Sequence, residues 1–572
     1  MSTTRAQWRA YTFLVVLRVL IAFSSRSIIH PDEHFQNPEI AAALVFDYSR
    51  SGGVPLKTWE WQGGEPCRSV APLLISSGAA FSVVKAMVGD NPTAQTLFFA
   101  QRAAMLLISF VIDMSIHHIS SSPLSLLLFA SAPVTFTFLL RPFSNSLETV
   151  TLALAIFFTS RLLSFESQFM VPIGAVLAFG VWTRITFVAF AFPLVFAIVV
   201  RLSRGGNQRY PDIFTSLKRG SPAVISFFSS AYLLAILDTR YFRPQYTLFE
   251  IALHPSRLII TPLNLLKYNL SSENLAQHGI HPRWLHALVN LPMLYGVGLA
   301  IIFTCASDVL AGRNRGERVK DRKQVFSDRL LLASILVPLA LLSIQPHQEP
   351  RFLLPLIVPL ALLAPRASFL TSISSSQKRK RKAFWALWIL HSLLFTIFFG
   401  YLHQGGLLST LLKLDHELRD SRSTIFGSQI ENVDLVFWKT FMPPRHLLLP
   451  LSDGQLRPIS STRSISIVDL GGVPRPELHT TLLSSVEKTT SRTFLISPSY
   501  LFNPSQTLLL STSASSTTTN LCANAVSFQP DALGSFFADV HLDMDRLGEM
   551  VDSFTRRGMS GLEVGIWEVV EC

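Results

Sequence analysis

Long apolar stretches recur along this chain of 572 residues, and they constrain its fold more than any other feature. A segment needs about 20 mostly apolar residues to cross a bilayer as a helix. We therefore predict an α-helical polytopic membrane protein with about eleven transmembrane helices. The stretches lie near residues 11–29, 96–118, 122–140, 146–164, 168–183, 185–201, 221–238, 286–306, 329–345, 352–370 and 383–402.

The composition also indicates a lipid environment. Charged residues make up 15% of the chain, against about 25% in soluble domains. The formal net charge is +12, but the basic residues cluster between apolar stretches and form no basic face with interleaved aromatic residues. This pattern is typical of orientation in a membrane and argues against a nucleic-acid partner.

Four basic stretches predict the orientation: the N-terminus and residues 201–219, 313–323 and 378–382. The positive-inside rule places all four in the cytosol. Residues 30–95, 239–285, 345–351 and everything after about residue 402 then lie on the lumenal side. The sequon Asn269-Leu270-Ser271 is a candidate glycosylation site and agrees with that side.

Two apolar segments allow a second interpretation. The run 11–29 resembles a cleavable signal peptide, but the apolar core of such a peptide is about 7–15 residues long, so we interpret this longer run as a retained first helix. Residues 71–88 are apolar enough to cross, yet a crossing would break the parity of the basic loops. Because Ser76, Ser77 and Lys85 also weaken a crossing, we expect an interfacial or re-entrant helix there.

The last ~170 residues have a different character. They are rich in Ser and Thr and contain short alternating runs at 464–470, 493–496 and 565–570, which predict strands. We expect a transmembrane catalytic domain at 1–402, with a first lumenal loop at 30–95, and a small mixed α/β lumenal domain at 403–572. The Ser/Thr-rich composition of residues 511–519 predicts a flexible loop. Cys67 and Cys522 share the lumenal compartment in this topology and could pair.

The strongest polar motif is residues 30–36, His-Pro-Asp-Glu-His-Phe-Gln, directly after the first apolar run. A carboxylate at such a position can take a proton from an attacking hydroxyl. The alternative is that Asp32 and Glu33 only stabilise a helix N-terminus. His30, His34 and Gln36 favour a functional site.

A second polar group interrupts the apolar pattern at residues 345–352, Gln-Pro-His-Gln-Glu-Pro-Arg-Phe. Ionisable residues at membrane depth indicate function. The planar guanidinium of Arg351 suits phosphate oxygens, and His347 and Glu349 lie beside it. The alternative is a Glu349–Arg351 pair that only closes a helical hairpin.

Weaker candidates lie at other helix ends. Arg141 and Arg184 could contact phosphate or extend to the interface as arginines commonly do, and Asn145 adds a polar group. His278, His281 and His286 suggest a metal, but their spacing matches no usual ligand set, so we expect none. No phosphate-binding glycine loop and no nucleophile elbow is present in the sequence.

The chain resembles the lipid-linked mannosyltransferases of glycosyltransferase family 22. The resemblance rests on the acidic pair after the first helix, on the His-x-Glu-x-Arg-Phe motif at 347–352, and on the segments 58–61, 68–69 and 141–148. It covers about the first 400 residues and implies the GT-C fold. It also adds Arg68 to the candidate phosphate-binding residues.

Within that family, residues 264–296, 438–445 and 566–569 resemble members that act on the glycosylphosphatidylinositol (GPI) precursor. The resemblance implies a GPI-precursor glycolipid as acceptor, dolichyl phosphate mannose as donor, and an α-1,2-linked fourth mannose as product. The members that add the third mannose are the nearest alternative. The resemblance implies inversion at the anomeric carbon and therefore a single displacement. By analogy with the family we assign Asp32 as the base, with Glu33 positioning the acceptor or tuning Asp32 through a shared proton, and we expect no cofactor.

Two other classes remain from the residues alone. A transporter or lipid scramblase would also be polytopic with buried charges, but it would more often show repeated halves and broken helices at midplane. A non-catalytic assembly subunit would have no need of Asp32. The polar motifs gather at one face of the predicted topology, which favours an enzyme. The family resemblance implies that it is located in the endoplasmic reticulum membrane.

Overall fold

The computed structural model describes most of the chain. The described residues are 2–46, 56–120, 122–164, 166–203, 213–271, 273–274, 279–312, 326–372, 374–419, 432–448, 464–487, 491–501, 521–526 and 540–571. Among the predicted features, His278, the basic stretch 313–323 and the loop 511–519 lie outside them.

The first 419 residues are helical wherever the structure describes regular elements. Short 3-10 and π turns connect or interrupt many of the helices. The α-helices of this part are Ser2–Ser24, Asp32–Phe35, Pro38–Phe46, Val70–Leu73, Ala79–Val88, Ala94–Ile119, Pro123–Ala130, Pro133–Phe136, Ser144–Leu163, Met170–Thr183, Phe187–Ser203, Ile213–Phe242, Leu248–Leu253, Thr261–Leu270, Leu291–Tyr295, Leu299–Leu310, Asp328–Ile344, Ile357–Leu363, Ser368–Thr371, Ser375–Ile397 and Gly405–Arg419.

The helices confirm a multi-pass membrane protein. Within the described residues, seven helices are long and apolar enough to cross a bilayer, or eight if a pair bent by 58° counts as one span. They are Arg5–Ser24, Val70–Val88, Ala94–Ile119, Ser144–Leu163, Leu217–Phe242, His286–Leu310 and Ser375–Leu402, and the bent pair is Pro123–Ala130 with Pro133–Leu140. Two shorter apolar helices, Ser167–Thr183 and Phe187–Ser203, match two further predicted segments.

The interfacial or re-entrant position of residues 71–88 stays a prediction, because Val70–Val88 is a candidate span by length and composition only. It is 19 residues long with a mean hydropathy of 1.6, which gives it the length and apolarity of a crossing helix. Leu74–Gly78 forms a π turn in its middle, and Ser76 Oγ donates to the Pro72 carbonyl 2.8 Å away. This bond satisfies the hydroxyl within the helix, so Ser76 does not oppose burial in lipid as its sequence position suggested.

The backbone forms two compact units. The first comprises Met1–Ala22, Lys57–Ser76 and Ala104–Leu394, and the second comprises Phe23–Leu56, Ser77–Ala103 and Phe395–Cys572. The predicted domain boundary near residue 402 stays a prediction, because the second unit also takes in segments from the first hundred residues.

A buried ion pair joins two apolar helices of the first unit. Arg18 donates to both oxygens of Asp113, with Nη1···Oδ2 at 2.7 Å and Nη2···Oδ1 at 2.9 Å. Tyr11 Oη donates to the same carboxylate at 2.9 Å. In lipid an unpaired charge is costly, so this pair fixes the register of Ser2–Ser24 against Ala94–Ile119.

Close helix packing in the first unit depends on glycine. A Cβ added at Gly174 would overlap the backbone oxygen of Ala223. Helix Met170–Thr183 therefore approaches Ile213–Phe242 more closely than a larger residue would permit.

The second unit contains a five-stranded sheet in the order β2-β1-β3-β5-β4. The strands are β1 Asn432–Phe437, β2 Ser464–Asp469, β3 Ser491–Pro498, β4 Leu521–Ala525 and β5 Val564–Glu571. β1 pairs in parallel with β2 and β3, whereas β5 is antiparallel to β3 and β4. The three predicted strands are β2, β3 and β5, so the mixed α/β character is confirmed.

Two helices complete this region, Arg475–Val486 and Leu547–Arg557. Leu478 and Leu482 of the first helix pack with Val436, Leu495 and Trp567 of the sheet. The structure answers a question that the sequence left open: Cys67 is a free thiol and Cys522 is disulfide-bonded, so these two residues do not pair. The spacing of cysteines along a chain does not determine which pairs meet after folding.

Candidate active site

The acidic motif of the second unit is held by a short helix, Asp32–Phe35, that begins directly after Pro31. The helix gives the two acidic side chains different environments. The Asp32 side chain is 26% exposed, whereas that of Glu33 is 1% exposed. Only Asp32 therefore has a carboxylate that a substrate could approach.

Asp32 is oriented by its neighbours along the chain. Gln36 Nε2 donates to Asp32 Oδ2 at 2.6 Å, and His30 Nδ1 lies 3.6 Å from Asp32 Oδ1. Asp32 and Gln36 are four residues apart and so lie on the same side of a helical turn. Gln36 is itself buried and bonds Asp32, so its contact with substrate stays a prediction, and His30 is the more exposed partner.

Glu33 has a structural environment. Arg102 Nη2 donates to Glu33 Oε1 at 2.9 Å, and the backbone amide of Ile29 donates to Oε2 at 3.4 Å. Arg102 is also buried, and Phe98 lies below its guanidinium. A buried carboxylate bonded to a buried guanidinium holds the segment after the first helix in place.

A second buried pair lies close to His34. Glu39 Oε2 accepts from the backbone amide of His446 at 3.0 Å and bonds its Nδ1 at 2.8 Å. The rings of His34 and His446 are 5.7 Å apart, and neither residue is exposed by more than 2%. Contact of His34 with substrate stays a prediction, and the segment 445–447 is part of what supports the acidic motif.

In the first unit, the predicted polar group at 345–352 forms around one carboxylate. Glu349 Oε1 accepts from Arg351 Nη2 at 2.8 Å and bonds His347 Nε2 at 2.8 Å, while Arg351 Nε contacts Oε2. This bidentate pairing neutralises Arg351 and directs its guanidinium toward Glu349.

The structure brings two predicted groups together here. Gln348 Oε1 accepts from the backbone amide of His286 at 2.8 Å, and the backbone amide of Gln348 donates to His281 Nδ1 at 3.3 Å. The rings of His281 and His347 are 5.9 Å apart. The two histidine-bearing segments are thus one network, with the buried Gln348 at its centre.

Glu148 forms a further buried group with residues from the turn before Phe187–Ser203. Thr186 Oγ1 donates to Glu148 Oε1 at 2.6 Å, and Arg184 Nε lies 3.6 Å from Oε2. Asn145 Nδ2 is 3.4 Å from Oε2, one turn earlier in the helix that carries Glu148. Arg184 also stacks over Phe352, which links this group to the one around Arg351.

Arg68 completes the cationic cluster of the first unit. It donates from Nη2 to Glu60 Oε1 at 2.6 Å, and both residues are at least nine-tenths buried. Arg184 interacts electrostatically with Arg68 and Arg351, so the three cations are neighbours.

Some donors in this cluster remain unused. Arg68 Nε and Nη1 and Arg184 Nη1 are buried and have no hydrogen-bond partner within the described part of the protein. Buried polar atoms are nearly always bonded to protein or to ordered water in folded proteins, so these donors are available to an acceptor from outside the chain. An anionic ligand would supply it. Arg141, a further predicted phosphate ligand, is fully buried, and its Nη1 donates to the Thr137 carbonyl at 3.3 Å.

A set of loop contacts fixes Arg68. The carboxylate of Asp238 accepts from Ser69 Oγ at 2.8 Å, from the Val70 backbone amide at 2.9 Å and from Thr261 Oγ1 at 2.8 Å. The residue directly after Arg68 is therefore tied to the end of helix Ile213–Phe242.

Three other predictions can be placed. Asn269, the candidate glycosylation site, is half-buried in the last turn of Thr261–Leu270. Cys67 is buried beside Glu60, and burial raises the pKa of its thiol to about 11. Among the described residues, no group of three or more His, Cys, Asp or Glu side chains is arranged to hold a metal ion.

Sequence reasoning gave no separate role to Glu148, Glu60, Arg102 or the Glu39–His446 pair. Glu148 had a signal, because it lies near the start of an apolar helix, Ser144–Leu163, where an ionisable residue indicates function. Arg102 also lies inside an apolar helix. Glu39 and His446 are 407 residues apart, and no local pattern relates them.

Comparison with known proteins adds a family. Residues 9–450 match the model of the Alg9-like mannosyltransferase family. The chain is 34% identical to GPI mannosyltransferase 4 of Emericella nidulans, over 77% of this chain and 76% of that protein. It is 31% identical to GPI mannosyltransferase 4 of Schizosaccharomyces pombe, over 77% and 75%.

A human relative and a solved structure are more distant. Human GPI alpha-1,2-mannosyltransferase 4 is 29% identical, over 84% of this chain and 81% of that protein. The crystal structure of ArnT from Cupriavidus metallidurans bound to undecaprenyl phosphate aligns with 86% of this chain and 93% of its own, at 11% identity and a TM-score of 0.44. That likeness is too weak to support an argument.

Proposed function

The chain belongs to the Alg9-like mannosyltransferase family, and from that premise we propose that it adds the fourth mannose to the GPI-anchor precursor. The mannose would be α-1,2-linked to the third mannose, with dolichyl phosphate mannose as donor and the GT-C fold of the family as scaffold. The observation that carries this proposal is the similarity to relatives named GPI mannosyltransferase 4 over three quarters of their length. The human relative's name supports the α-1,2 linkage.

The proposed location is the endoplasmic reticulum membrane, with the N-terminus cytosolic and the reacting groups lumenal. The basic stretches support this orientation. The disulfide-bonded state of Cys522 supports a lumenal C-terminal region, because disulfides form and persist in oxidising compartments.

We assign the base to Asp32 and a supporting role to Glu33. In an inverting single displacement, the base takes the proton of the acceptor hydroxyl while its oxygen attacks the anomeric carbon. The exposure of Asp32 and its orientation by Gln36 support this role. Glu33, buried against Arg102, supports the position of the loop.

The leaving group is a phosphate. As the bond from the anomeric carbon to the phosphate oxygen breaks, that oxygen keeps the electron pair, and donors aimed at it lower the barrier. The unused donors of Arg68 and Arg184 support them as the first phosphate ligands. Arg351 and His347 were the preferred candidates from sequence, but both are bonded to Glu349. In this proposal they orient the arginine cluster, and they can contact phosphate only after their bonds to Glu349 break.

Deletion of the gene followed by analysis of the GPI intermediates tests the substrate. We expect a lipid carrying three mannoses to accumulate, and the wild-type chain to convert it when restored. Accumulation of a lipid with two mannoses would instead assign the chain to the step that adds the third mannose.

Two neighbouring substitutions test the base in the same cells. Asp32→Asn should lower transfer by about 10²–10⁴-fold in microsomes while the amount of folded protein is unchanged. Glu33→Gln should mainly reduce the amount of folded protein, because it leaves Arg102 buried without its counter-charge. Wild-type turnover of the folded Asp32→Asn protein would refute the assignment.

A further inference from the structure

Exposed apolar side chains are concentrated in one place in the described part of residues 395–571. Of the six large hydrophobic side chains exposed there, five lie between residues 544 and 559 and the sixth is Met442. The five are Met544, Leu547, Val551, Phe554 and Met559, with exposures from 44% to 62%. So local a concentration differs from the single exposed apolar residues that are normal on protein surfaces.

The helix Leu547–Arg557 arranges these side chains as a stripe. Leu547, Val551 and Phe554 are four and three residues apart and so share one face. Met550 and Ser553 are buried and attach the helix to the rest of the unit. The stripe therefore lies beside the buried side of the helix, and no described residue of the chain covers it.

The polar side of the same helix is clearly separated from that stripe. The side chains of Glu549 and Asp552 are 52% and 60% exposed, and Asp552 pairs with Arg556 at 3.1 Å. A helix with an apolar face and an opposed charged face is typical of segments that lie in a membrane interface.

Backbone hydrogen bonds place the start of this helix beside the end of a membrane-spanning segment. The Leu542 amide donates to the Leu402 carbonyl at 2.9 Å, and the Gln404 amide donates to the Leu542 carbonyl at 3.0 Å. Leu402 is the last residue of the candidate span Ser375–Leu402. Asp543 continues the attachment, because its amide donates to Met550 Sδ at 3.2 Å.

We propose that Met544–Met559 is an interfacial segment whose apolar stripe inserts into the lipid surface next to the Ser375–Leu402 span. The candidate span ends at Leu402, to which Leu542 is bonded, and Leu547 follows Leu542 by five residues. A lipid surface is thus available to the stripe wherever the chain is embedded. The segment attaches the sheet-containing region to the membrane in addition to the spanning helix.

Lipid contact can be measured in the full-length protein reconstituted into phosphatidylcholine vesicles. Val551→Cys and Asp552→Cys carry an environment-sensitive dye, and lipids with a nitroxide near the headgroup quench it on contact. The two positions are adjacent and similarly exposed, but they lie on different faces of the helix. The unsubstituted chain gives the background from Cys67 and Cys305, which are buried thiols.

We expect quenching at Val551→Cys to be at least about threefold stronger than at Asp552→Cys, because the apolar face of an interfacial helix lies below the headgroups. Phe554→Cys and Glu549→Cys form a second pair with the same expectation if the first does not yield folded protein. Equally weak quenching within a pair would overturn the proposal. A second outcome would also overturn the proposal. If quenching in vesicles is weak but Val551→Cys is protected from a water-soluble thiol reagent in native membranes, the stripe is covered by a protein partner.

Discussion

Charged side chains are buried both on helix Ala94–Ile119 and in the connecting segments that hold Arg68 and Arg184. The two regions differ in how many of the buried hydrogen-bond donors are left without a partner among the described residues. On the helix, Arg102 is bonded to Glu33 and Asp113 receives two bonds from Arg18 and one from Tyr11. In the connecting segments, Arg68 makes one bond, to Glu60, and keeps two buried nitrogens without a partner among the described residues.

The difference separates structural charge from functional charge. A buried pair whose members bond each other has no need of a ligand, and removing one member leaves a costly uncompensated charge. Arg18 keeps only Nε without a partner among the described residues, and both of its terminal nitrogens bond Asp113, whereas Arg68 keeps two nitrogens for an acceptor that binds. We therefore expect substitutions on the helix to change stability, and substitutions in the connecting segments to change catalysis.

The largest effect should come from breaking the pair of Arg18 and Asp113. Asp113→Ala leaves Arg18 buried without its carboxylate, and such losses cost about 3–5 kcal/mol. We expect a large fall in the fraction of full-length protein that survives heating in detergent. The specific activity of the surviving protein should change little, because the pair donates nothing to a substrate in this interpretation.

A double substitution serves as the control for that experiment. Arg18→Met with Asp113→Leu removes both charges and keeps apolar volume, and similar replacements of buried pairs are neutral or stabilising. Recovery of heat resistance in the double variant would confirm that the charge pair is structural. A persistent loss of activity in it would contradict the comparison.

A smaller and different effect is expected at Arg68. Arg68→Lys keeps a positive charge beside Glu60 but removes the planar fork that can bond two oxygens. Transfer should fall by at least about tenfold, since loss of one transition-state donor costs about 10²–10³-fold and lysine retains part of the stabilisation. The measurement is the initial rate of mannose transfer in microsomes at matched amounts of folded protein.

Arg492→Lys is the matched control. Arg492 also pairs with a carboxylate, that of Glu568, but it lies in the sheet and its side chain is 33% exposed. We expect no change in transfer from this variant. Equal losses from Arg68→Lys and Arg492→Lys would mean that the unused donors of Arg68 have no catalytic role.

The sequence predicted the parts of this comparison that depend on local pattern. Apolar length located the membrane helices, and alternating runs located β2, β3 and β5. The acidic motif and the group at 347–351 were found because ionisable residues interrupt or border apolar segments. For Val70–Val88 the serines suggested poor compatibility with lipid, but Ser76 bonds to its own helix, so its hydroxyl no longer argues against a crossing.

Tertiary partners were beyond the reach of local pattern. Arg102 meets Glu33 across 69 residues, and that contact is what separates the roles of two adjacent carboxylates. β1 was missed because five of its six residues are buried, which removes the alternation that marks a strand with one face in solvent. The preference for Arg68 over Arg351 as a proposed phosphate ligand likewise depends on a tertiary contact, because Arg351 is bonded to Glu349 in the folded protein.

The last predicted effect concerns His541. It sharpens the comparison because it is buried, its two ring nitrogens have no partner among the described residues, and it carries no charge. Burial, aided by His403, lowers the pKa of His541 from 6.5 to about 3. The unfolded chain therefore binds a proton more readily, so this contribution to stability is complete above about pH 6.5 and is lost as the pH falls toward about 3. The slope approaches about 1.4 kcal/mol per pH unit.

We expect the unfolding temperature of the full-length protein to fall between about pH 7.5 and about pH 5, and the fall to be smaller in His541→Asn, which cannot titrate there. His416→Asn is the control, because the side chain of His416 is 78% exposed and its removal should leave the pH dependence intact. An unchanged pH dependence in His541→Asn would show that the buried imidazole is not what acid destabilises. A flattened one would show that His541 is neutral in the folded protein, so that its leftover nitrogens, unlike those of Arg68, belong to an uncharged group.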